Sequence, residues 1–216
     1  MDNTVLYNLT YGLYVVGAMD GNRPVGCIIN TCFQVTSQNP ILAISLNKNN
    51  FTLQAIQKTK RFSLSIIAEE SNCSVITTFG FQSSRTVDKY ADYGVEMTDG
   101  IPAVKGKFAG RLFLEVLNMV DNETHMVVLA RLINTEKGEG KAMTYEYYHR
   151  VIKGKAPKNA PTYRGGDEED AKPKACDTTK KRWVCDICGY VYEGDELPED
   201  FVCPICGAGR EHFKLQ

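Results

Sequence analysis

Short apolar runs alternate with polar turns along the first 153 residues of the chain. The runs are rich in Val, Ile, Thr and aromatic residues, and turn-forming pairs such as Asn39-Pro40 and Asp121-Asn122 separate them. This pattern predicts a mainly β domain with antiparallel strands. The predicted strands cover residues 11–18, 26–35, 41–46, 62–68, 111–120 and 124–133.

Helical spacing of apolar residues occurs between these strands. Residues 49–60 place Leu53 and Ile56 on one predicted face, and residues 83–93 show a weaker version of the same pattern. We therefore expect one or two helices that cap a β barrel.

The composition changes after residue 153. Residues 154–182 contain three prolines, the pair Gly165-Gly166 and an acidic run at 167–170, with few apolar side chains, which predicts a flexible linker. Residues 183–216 are too few to be stable through a hydrophobic core alone. The predicted organisation is a domain at 1–153, a linker at 154–182 and a small domain at 183–216.

Overall composition excludes several classes of protein. The 216 residues carry a net charge of −1, with 43% hydrophobic and 24% charged residues, which is typical of a globular protein and disfavours a general nucleic-acid binder. No segment approaches the ~18 consecutive apolar residues that cross a bilayer, and the first residues lack the basic and apolar regions of a signal peptide. We expect a cytoplasmic protein that binds neither nucleic acid nor membrane.

Four cysteines near the carboxyl end form two Cys-x-x-Cys pairs, Cys185 with Cys188 and Cys203 with Cys206, and a glycine follows each pair. In a reducing compartment such pairs indicate a metal site, because two tight turns place four thiolates tetrahedrally around one ion. The glycines permit a backbone conformation that turns N–H groups toward the sulfurs. Zinc and iron accept the same four sulfurs, so the spacing alone leaves a structural zinc ribbon and an iron centre open.

Aromatic residues surround the cysteine pairs, and the sequences at 183–192 and 197–209 resemble the rubredoxin family. This resemblance implies one iron per chain that carries one electron, with Cys185, Cys188, Cys203 and Cys206 as its ligands. The segment between the two pairs is shorter than in typical rubredoxins and is similar to the form appended to rubrerythrin-like proteins. The shorter segment affects the solvent cover of the iron and therefore its potential.

The larger domain has neither a Gly-x-Gly-x-x-Gly motif after a strand nor a phosphate-loop motif. Any nicotinamide nucleotide must therefore bind transiently against another cofactor. Residues 26–36 combine strand propensity with amides and hydroxyls that could hydrogen-bond a planar polar ring. Residues 47–52 are typical of a helix start, which suits one phosphate, although in isolation a capped helix with a solvated lysine explains them better.

Taken in order with residues 9–16, 79–90 and Thr124-His125, these segments resemble the flavin reductase-like family over residues 1–153. The resemblance implies an FMN-binding split β-barrel with capping helices, so the fold class is mainly β with a small iron-binding rubredoxin-like domain. It implies ring or ribityl contacts from Asn30, Thr31, Cys32 and Thr36. It implies phosphate contacts from Asn47, Lys48, Asn49, Asn50 and Thr52, and a positive charge near the phosphate or the nicotinamide from Arg85 and Lys89.

His125 occupies the position of the histidine in the Gly-Asp-His motif of many family members, but Glu123 and Thr124 replace its two neighbours. A flavin contact and an ordinary strand histidine are both open for this residue. Tyr145, Tyr147 and Tyr148 are candidates for the mouth of the pocket or for a dimer surface. The sequence assigns no catalytic residue.

Chains with both domains resemble the high-molecular-weight rubredoxins of anaerobes. The implied function is electron transfer from NADH or NADPH through FMN to the iron, and then to a flavodiiron protein that reduces nitric oxide or dioxygen. The tail has seven acidic and two basic residues, which suits docking on a basic surface of that partner. The family also implies a homodimer.

Two other functions are open. The chain could be a flavin-binding redox sensor or interaction protein with a structural zinc ribbon. It could also be a free flavin reductase that supplies reduced flavin to a monooxygenase. The preference between NADH and NADPH is not encoded in any recognisable motif, because no Rossmann acidic residue is present.

Overall fold

Residues 3–152, 182–185, 191–193, 196–202 and 209–215 are described by a computed structural model of the chain. The chain forms two units, residues 1–164 and residues 165–216. Most of the predicted linker, including its first residue at 154, lies outside the described residues, so the linker stays a prediction. Its predicted last residue, Arg182, is described as the first residue of a strand.

Nine strands and three α-helices, preceded by a 3₁₀ helix at Asn3–Asn8, make up the described part of the first unit. The helices are α1 (Phe51–Thr59), α2 (Ser74–Phe81) and α3 (Tyr145–Arg150). The strands are β1 (Tyr14–Asp20), β2 (Arg23–Ile29), β3 (Cys32–Gln34), β4 (Ile41–Asn47), β5 (Arg61–Ile66), β6 (Val95–Thr98), β7 (Ile101–Val104), β8 (Gly110–Asn122) and β9 (His125–Lys137).

Seven of these strands form one antiparallel sheet in the order β2-β1-β5-β8-β9-β4-β3. The two edge strands, β2 and β3, are consecutive in the sequence, and only Asn30 and Thr31 connect them. The three steps from Ile29 to Cys32 span at most about 11 Å, so the sheet must curl until these ends of its two edges come close. The sheet is therefore a split barrel whose two edges approach each other at Asn30 and Thr31.

Helix α1 closes one side of the barrel core. Its Leu53, Ala55 and Ile56 side chains are buried with residues from β1, β2, β4, β5, β8 and β9. Lys60 adopts a left-handed conformation just past the helix and donates its N–H to the carbonyl of Ile56, which is a common way to end a helix. The helix predicted at 49–60 is therefore confirmed, with its observed bounds at Phe51 and Thr59.

Two features of the predicted secondary structure are wrong. Residues 26–35 are not one strand, because the chain leaves one sheet edge after Ile29 and enters the other at Cys32. Residues 83–93 form turns instead of a helix, and a helix lies earlier, at Ser74–Phe81. The Ser84 and Lys89 side chains in this turn segment donate to the carbonyl of Gly26 in β2. These bonds hold the segment against β2 in a conformation that is not helical.

The tyrosines of α3 belong to a second core cluster. Tyr145 and Tyr148 are buried among side chains from β1, α2 and the loop before β8, and Thr144 caps the helix by accepting from the N–H of Tyr147. Tyr145 and Tyr148 therefore belong to the chain's own core, which does not support a place for them at a dimer surface. Tyr147 is only partly buried, and its predicted place at a pocket mouth or a dimer surface stays a prediction.

The described part of the second unit is a small three-stranded sheet in the order β11-β10-β12. The strands are β10 (Arg182–Cys185), β11 (Val191–Glu193) and β12 (Phe213–Leu215). Leu197 and Phe213 are buried, and Trp183, Tyr192 and Phe201 pack against them. Among the described residues, no helix is both long and apolar enough to span a membrane.

Candidate functional site

The start of helix α1 combines a satisfied cap with an unsatisfied hydroxyl. Asn50 is the N-cap, and its Oδ1 accepts from the N–H of Thr52 at 2.9 Å. Thr52 is fully buried, and within the described ranges its Oγ1 atom has no hydrogen-bond partner. A buried hydroxyl without a partner is costly, so this atom is a candidate donor to a bound group.

Two arginines face the first residue of the same helix. The guanidinium carbon of Arg85 lies 5.0 Å from the centre of the Phe51 ring, and that of Arg23 lies 5.7 Å from it. Both are within cation–π distance, and neither forms an ion pair with a carboxylate of the described residues. The helix start therefore gathers two positive charges that no described acid neutralises.

Cys27 on β2 lies behind this cationic end. Burial raises the pKa of its thiol, and the charge of Lys89 offsets part of the rise, as do hydrogen bonds that the Thr52 and Asn50 side chains give to the ionised sulfur. The Thr52 hydroxyl therefore lies close to the Cys27 sulfur and lacks a partner only while that thiol is neutral. Burial also lowers the pKa of Lys89. The Lys89 ammonium donates to the carbonyl oxygens of Gly26 at 2.8 Å and Phe79 at 3.0 Å, and it is turned into the interior of the chain.

Polar groups also gather where the barrel closes. Asn30 is buried, and its Oδ1 accepts from the hydroxyl of Thr31 at 3.0 Å. Burial raises the pKa of the half-buried Cys32 to about 12, so this thiol is protonated at neutral pH. Burial raises the pKa of Tyr14, and the charge that Cys32 carries when ionised raises it further, which places Tyr14 near Cys32. This cluster offers an amide, a hydroxyl, a thiol and a phenol.

Thr36 lies in the turn between β3 and β4. Its hydroxyl donates to the carbonyl of Asn39 at 3.2 Å and accepts from the N–H of Ile41 at 3.0 Å. Both bonds hold the turn together, so the structure gives Thr36 a role in the turn.

Asn47, Lys48 and Asn49 lie against the tip of the β8–β9 hairpin. Asn47 Oδ1 accepts from the N–H of Asn49 at 2.9 Å, and the N–H of Lys48 donates to the carbonyl of Thr124 at 3.0 Å. The Lys48 ammonium pairs with Asp121. These three residues fix the loop that leads into α1, and the charge of Lys48 is already balanced.

His125 faces Asn47 across the β4–β9 pair. Its Nδ1 lies 2.8 Å from the hydroxyl of Thr124, whereas its Nε2 is buried and has no hydrogen-bond partner in the described part of the chain. His125 thus keeps one ring nitrogen for a further contact.

The predicted residues therefore fall into three groups. Asn50, Thr52 and Arg85 meet at the start of α1, Asn30, Thr31 and Cys32 meet at the barrel closure, and Asn47, Lys48, Asn49 and His125 meet at the hairpin tip. Thr36 and Lys89 belong to none of these groups. Arg23, Tyr14 and Cys27 are not among the predicted site residues, although the position of Arg23 directly after the Asp20-Gly21-Asn22 turn marks it as the first residue of a strand.

The donors fit a flavin mononucleotide. Its phosphate requires hydrogen-bond donors and positive charge at one end, which the start of α1 supplies through Thr52, Arg23 and Arg85. Its ring requires amides and hydroxyls, which Asn30 and Thr31 supply. Three of the four predicted iron ligands, Cys188, Cys203 and Cys206, lie outside the described residues, and only the backbone of Cys185 is described, as the last residue of β10.

Two family models match the chain. The flavin reductase like domain matches residues 6–155, and the rubrerythrin, rubredoxin-like domain matches residues 183–214.

Known proteins resemble the chain over one or both of these regions. It is 38% identical to the high molecular weight rubredoxin of Moorella thermoacetica in an alignment that covers 99% of each chain. It is 32% identical to the ferric-chelate reductase (NAD(P)H) of Archaeoglobus fulgidus, over 76% of this chain and 98% of that protein. The crystal structure of flavoredoxin from Methanosarcina acetivorans superposes with a TM-score of 0.57 over 66% of this chain and 78% of that chain, at 18% identity. The predicted fold class, a mainly β split barrel followed by a rubredoxin-like domain, is confirmed.

Proposed function

Because the chain belongs to the flavin reductase-like family and carries a rubredoxin-like domain near its carboxyl end, we propose that it is an electron-transfer flavoprotein. NADH or NADPH supplies the electrons, the barrel holds FMN, and Cys185, Cys188, Cys203 and Cys206 hold one iron. When bound, FMN accepts two electrons as a hydride and releases them singly, which suits an iron that takes one electron at a time. We place this function in the cytoplasm.

The unpartnered hydroxyl of Thr52 at the start of α1 is the observation that carries the proposal. Thr52 Oγ1 would donate to a phosphate oxygen there, while Arg23 and Arg85 balance the charge of the phosphate. Phe51 orders both guanidinium groups by stacking, which lowers the entropy lost when they bind an anion.

Strand β2 connects the phosphate end with the ring end. Arg23 is its first residue, and Asn30 directly follows its last. At about 3.3 Å per residue these two positions lie roughly 23 Å apart along the strand. A mononucleotide that lies along β2 would place its phosphate toward Arg23 and its ring toward Asn30. Because this span is longer than an extended FMN molecule, the side chains of both residues would reach inward to the ligand.

Acidic residues on the second unit support a basic redox partner. Glu196, Glu199, Asp200 and Glu211 are all exposed. We propose that they steer this unit to a basic surface on a flavodiiron protein, which then accepts the electrons. Such steering weakens as salt rises, because exposed charges are screened within about 10 Å at 0.1 M ionic strength.

The outer face of the barrel supports a homodimer. Phe33 pairs across strands with Ala43, and Ala43 pairs with Leu129, so these side chains lie on one face of the sheet. Phe33 is 59% exposed, and Val120 on β8 is 43% exposed. Large exposed apolar side chains on one face are typical of an interaction surface. We propose that a second copy of the chain covers this face.

A second candidate function follows from the similarity to a ferric-chelate reductase over 76% of the chain. In that case electrons leave the barrel directly for an external ferric chelate, and the tail is not needed. Reduction of ferric citrate by NADH at an equal rate in the wild type and in Cys203→Ser would favour this function.

Metal and flavin analysis of the full chain tests the proposed function. We expect iron in the tail and FMN retained through gel filtration, and we expect Cys203→Ser to lose iron while it keeps FMN. Zinc in place of iron would favour the sensor or interaction protein. Loss of the flavin on gel filtration would favour the free flavin reductase.

A further inference from the structure

The segment from Ser84 to Lys89 is fastened to the free edge of the barrel by two buried side chains. Strand β2 is an edge strand, and its Gly26 faces Gly17 of β1 on one side only. The N–H and C=O of Gly26 point away from β1 to Ser84. The Ser84 hydroxyl accepts from the N–H at 3.2 Å and donates to the C=O at 2.9 Å. A side chain thus replaces the missing neighbouring strand.

Lys89 forms the second attachment. It is only 3% exposed, and its ammonium joins the same Gly26 carbonyl to the Phe79 carbonyl near the end of α2. A cation near the carboxyl end of a helix is favourable, because the last carbonyl groups carry partial negative charge. The Nζ atom also lies 5.7 Å from the centre of the Phe79 ring. Its contacts are therefore all to the protein interior.

Arg85 lies between these two attachments. Residues 85–88 are exposed, whereas Ser84 and Lys89 are buried. The Arg85 guanidinium nevertheless lies over Phe51 at the start of α1. The N–H groups of Arg85, Thr86 and Val87 bond to Ser83 and order the turn internally. These bonds do not fix the turn to the barrel, so the position of Arg85 over Phe51 depends on the attachments at Ser84 and Lys89.

From this arrangement we infer that Ser84 and Lys89 are positioning residues for phosphate binding, which act by holding Arg85 against Phe51 and do not touch the phosphate. The inference rests on the flavin site proposed above. It assigns Lys89 a role different from the phosphate or nicotinamide contact that the sequence resemblance implies. Removing the lysine charge is expected to weaken phosphate binding only to the extent that Arg85 is released.

The test compares FMN with riboflavin, which lacks the phosphate, in the full chain. We expect Lys89→Met and Ser84→Ala to raise the Kd for FMN by about tenfold, as Arg85→Gln does, since each of the three variants loses the charge-assisted contact of Arg85 with the phosphate. The Kd for riboflavin is expected to stay within about twofold of wild type, because the ring contacts are intact. The double variant of Lys89→Met with Arg85→Gln is expected to bind FMN no more weakly than the weaker single variant.

A second readout does not depend on flavin. Trypsin is expected to cut after Arg85 about tenfold faster in Lys89→Met and Ser84→Ala than in wild type, because cleavage requires local opening of the segment. Val87→Ala changes an exposed residue of the same segment and serves as the control, with wild-type rates expected.

The outcomes separate this inference from the proposed function. Multiplied losses of FMN affinity in the double variant, with unchanged cleavage, would show that Lys89 binds the phosphate directly and would overturn the inference. An unchanged ratio of FMN to riboflavin affinity in Lys89→Met would also overturn it. If wild type binds neither flavin, the proposed function fails, and the cleavage rates alone decide whether Ser84 and Lys89 hold the segment.

Discussion

The N–H of Thr52 donates to Oδ1 of Asn50 over 2.9 Å, and this bond completes the cap of α1 without using the Thr52 hydroxyl. A threonine at this position normally satisfies its hydroxyl on solvent or on the backbone, but here burial excludes water. The cap acceptor is therefore Asn50 Oδ1, and the proposed ligand donor is Thr52 Oγ1. A mutation of the Thr52 hydroxyl can remove the donor and leave the cap in place.

Thr52→Val is expected to raise the Kd for FMN by about tenfold and to leave the Kd for riboflavin unchanged, because a hydrogen bond to a charged acceptor is lost. The free energy of unfolding without flavin is expected to stay equal or to rise, since an unsatisfied buried hydroxyl is removed. Titration by flavin fluorescence measures both constants. Thr59→Val at the other end of α1 is the control, and an equal loss for both flavins would contradict the assignment.

Gly17 and Gly80 are expected to respond oppositely to alanine. A Cβ at Gly17 would overlap the carbonyl oxygen of Pro102, so Gly17→Ala is expected to destabilise the barrel by ~1–3 kcal/mol. A Cβ at Gly80 in α2 would meet Ile28 at an ordinary 3.5 Å, so Gly80→Ala is expected to stabilise by ~0.5–1 kcal/mol. Urea unfolding followed by circular dichroism measures both, and equal effects of the same sign would refute the packing around Gly17.

Arg111 connects the β6–β7 hairpin to the main sheet. It pairs with Glu96 at 2.7 Å and Glu136 at 3.0 Å, and it donates to the carbonyl of Val104 at 3.0 Å. Arg111→Met removes the charged partner of both carboxylates, although Glu136 keeps a bond from Thr98, and is expected to cost ~2–3 kcal/mol of unfolding free energy. The exposed pair of Arg61 with Glu115 gives the matched control, because Arg61→Met is expected to cost less than about 1 kcal/mol. Similar costs for both variants would contradict this difference in burial.

Cys32 is expected to make stability fall at alkaline pH. The folded thiol has a pKa of about 12, whereas the unfolded thiol ionises near its ordinary value of 9.0. The stabilisation is therefore complete below pH 9 and is lost as pH rises toward 12. Between pH 8 and pH 10, the free energy of unfolding of wild type is expected to fall by roughly 1 kcal/mol more than that of Cys32→Ala.

Urea unfolding at the two pH values measures this difference. Val35→Ala, which lies in the turn after β3 and has no ionisable side chain, is the control and is expected to follow wild type. An identical fall in the free energy of unfolding of wild type and Cys32→Ala would show that the Cys32 thiol is not buried from water as the fold indicates.

Sequence patterns predict the parts of this fold that depend on neighbours along the chain. Helix α1 is predictable because an asparagine cap precedes apolar residues at helical spacing. The break at Asn30 and Thr31 is not, because residues 26–35 favour strand throughout and only the meeting of two sheet edges divides them. Helix α2 is not predictable from its local sequence, because it contains four consecutive β-branched residues, Val75, Ile76, Thr77 and Thr78, which favour a strand. Its helical conformation follows from burial against β1 and β2.

The candidate site shows the same division. Asn50 and Thr52 are recognisable from the helix start, and Arg85 from the family resemblance. Arg23 is not, because its distance to Phe51 is set by the β1–β2 hairpin and by the packing of α1 on it. The role of Lys89 is also hidden, because a lysine in a polar segment reads as a surface residue until the structure shows its two carbonyl partners.

Rapid anaerobic mixing of the full chain with NADH or NADPH tests the central claim most directly, with the flavin and iron absorbance bands followed separately. We expect the flavin band to bleach first and the iron band to bleach afterwards in the same molecules. In Cys203→Ser the flavin band is expected to bleach at the wild-type rate with no second phase. Iron that stays ferric while the flavin is fully reduced, or a tail that holds zinc, would contradict the account.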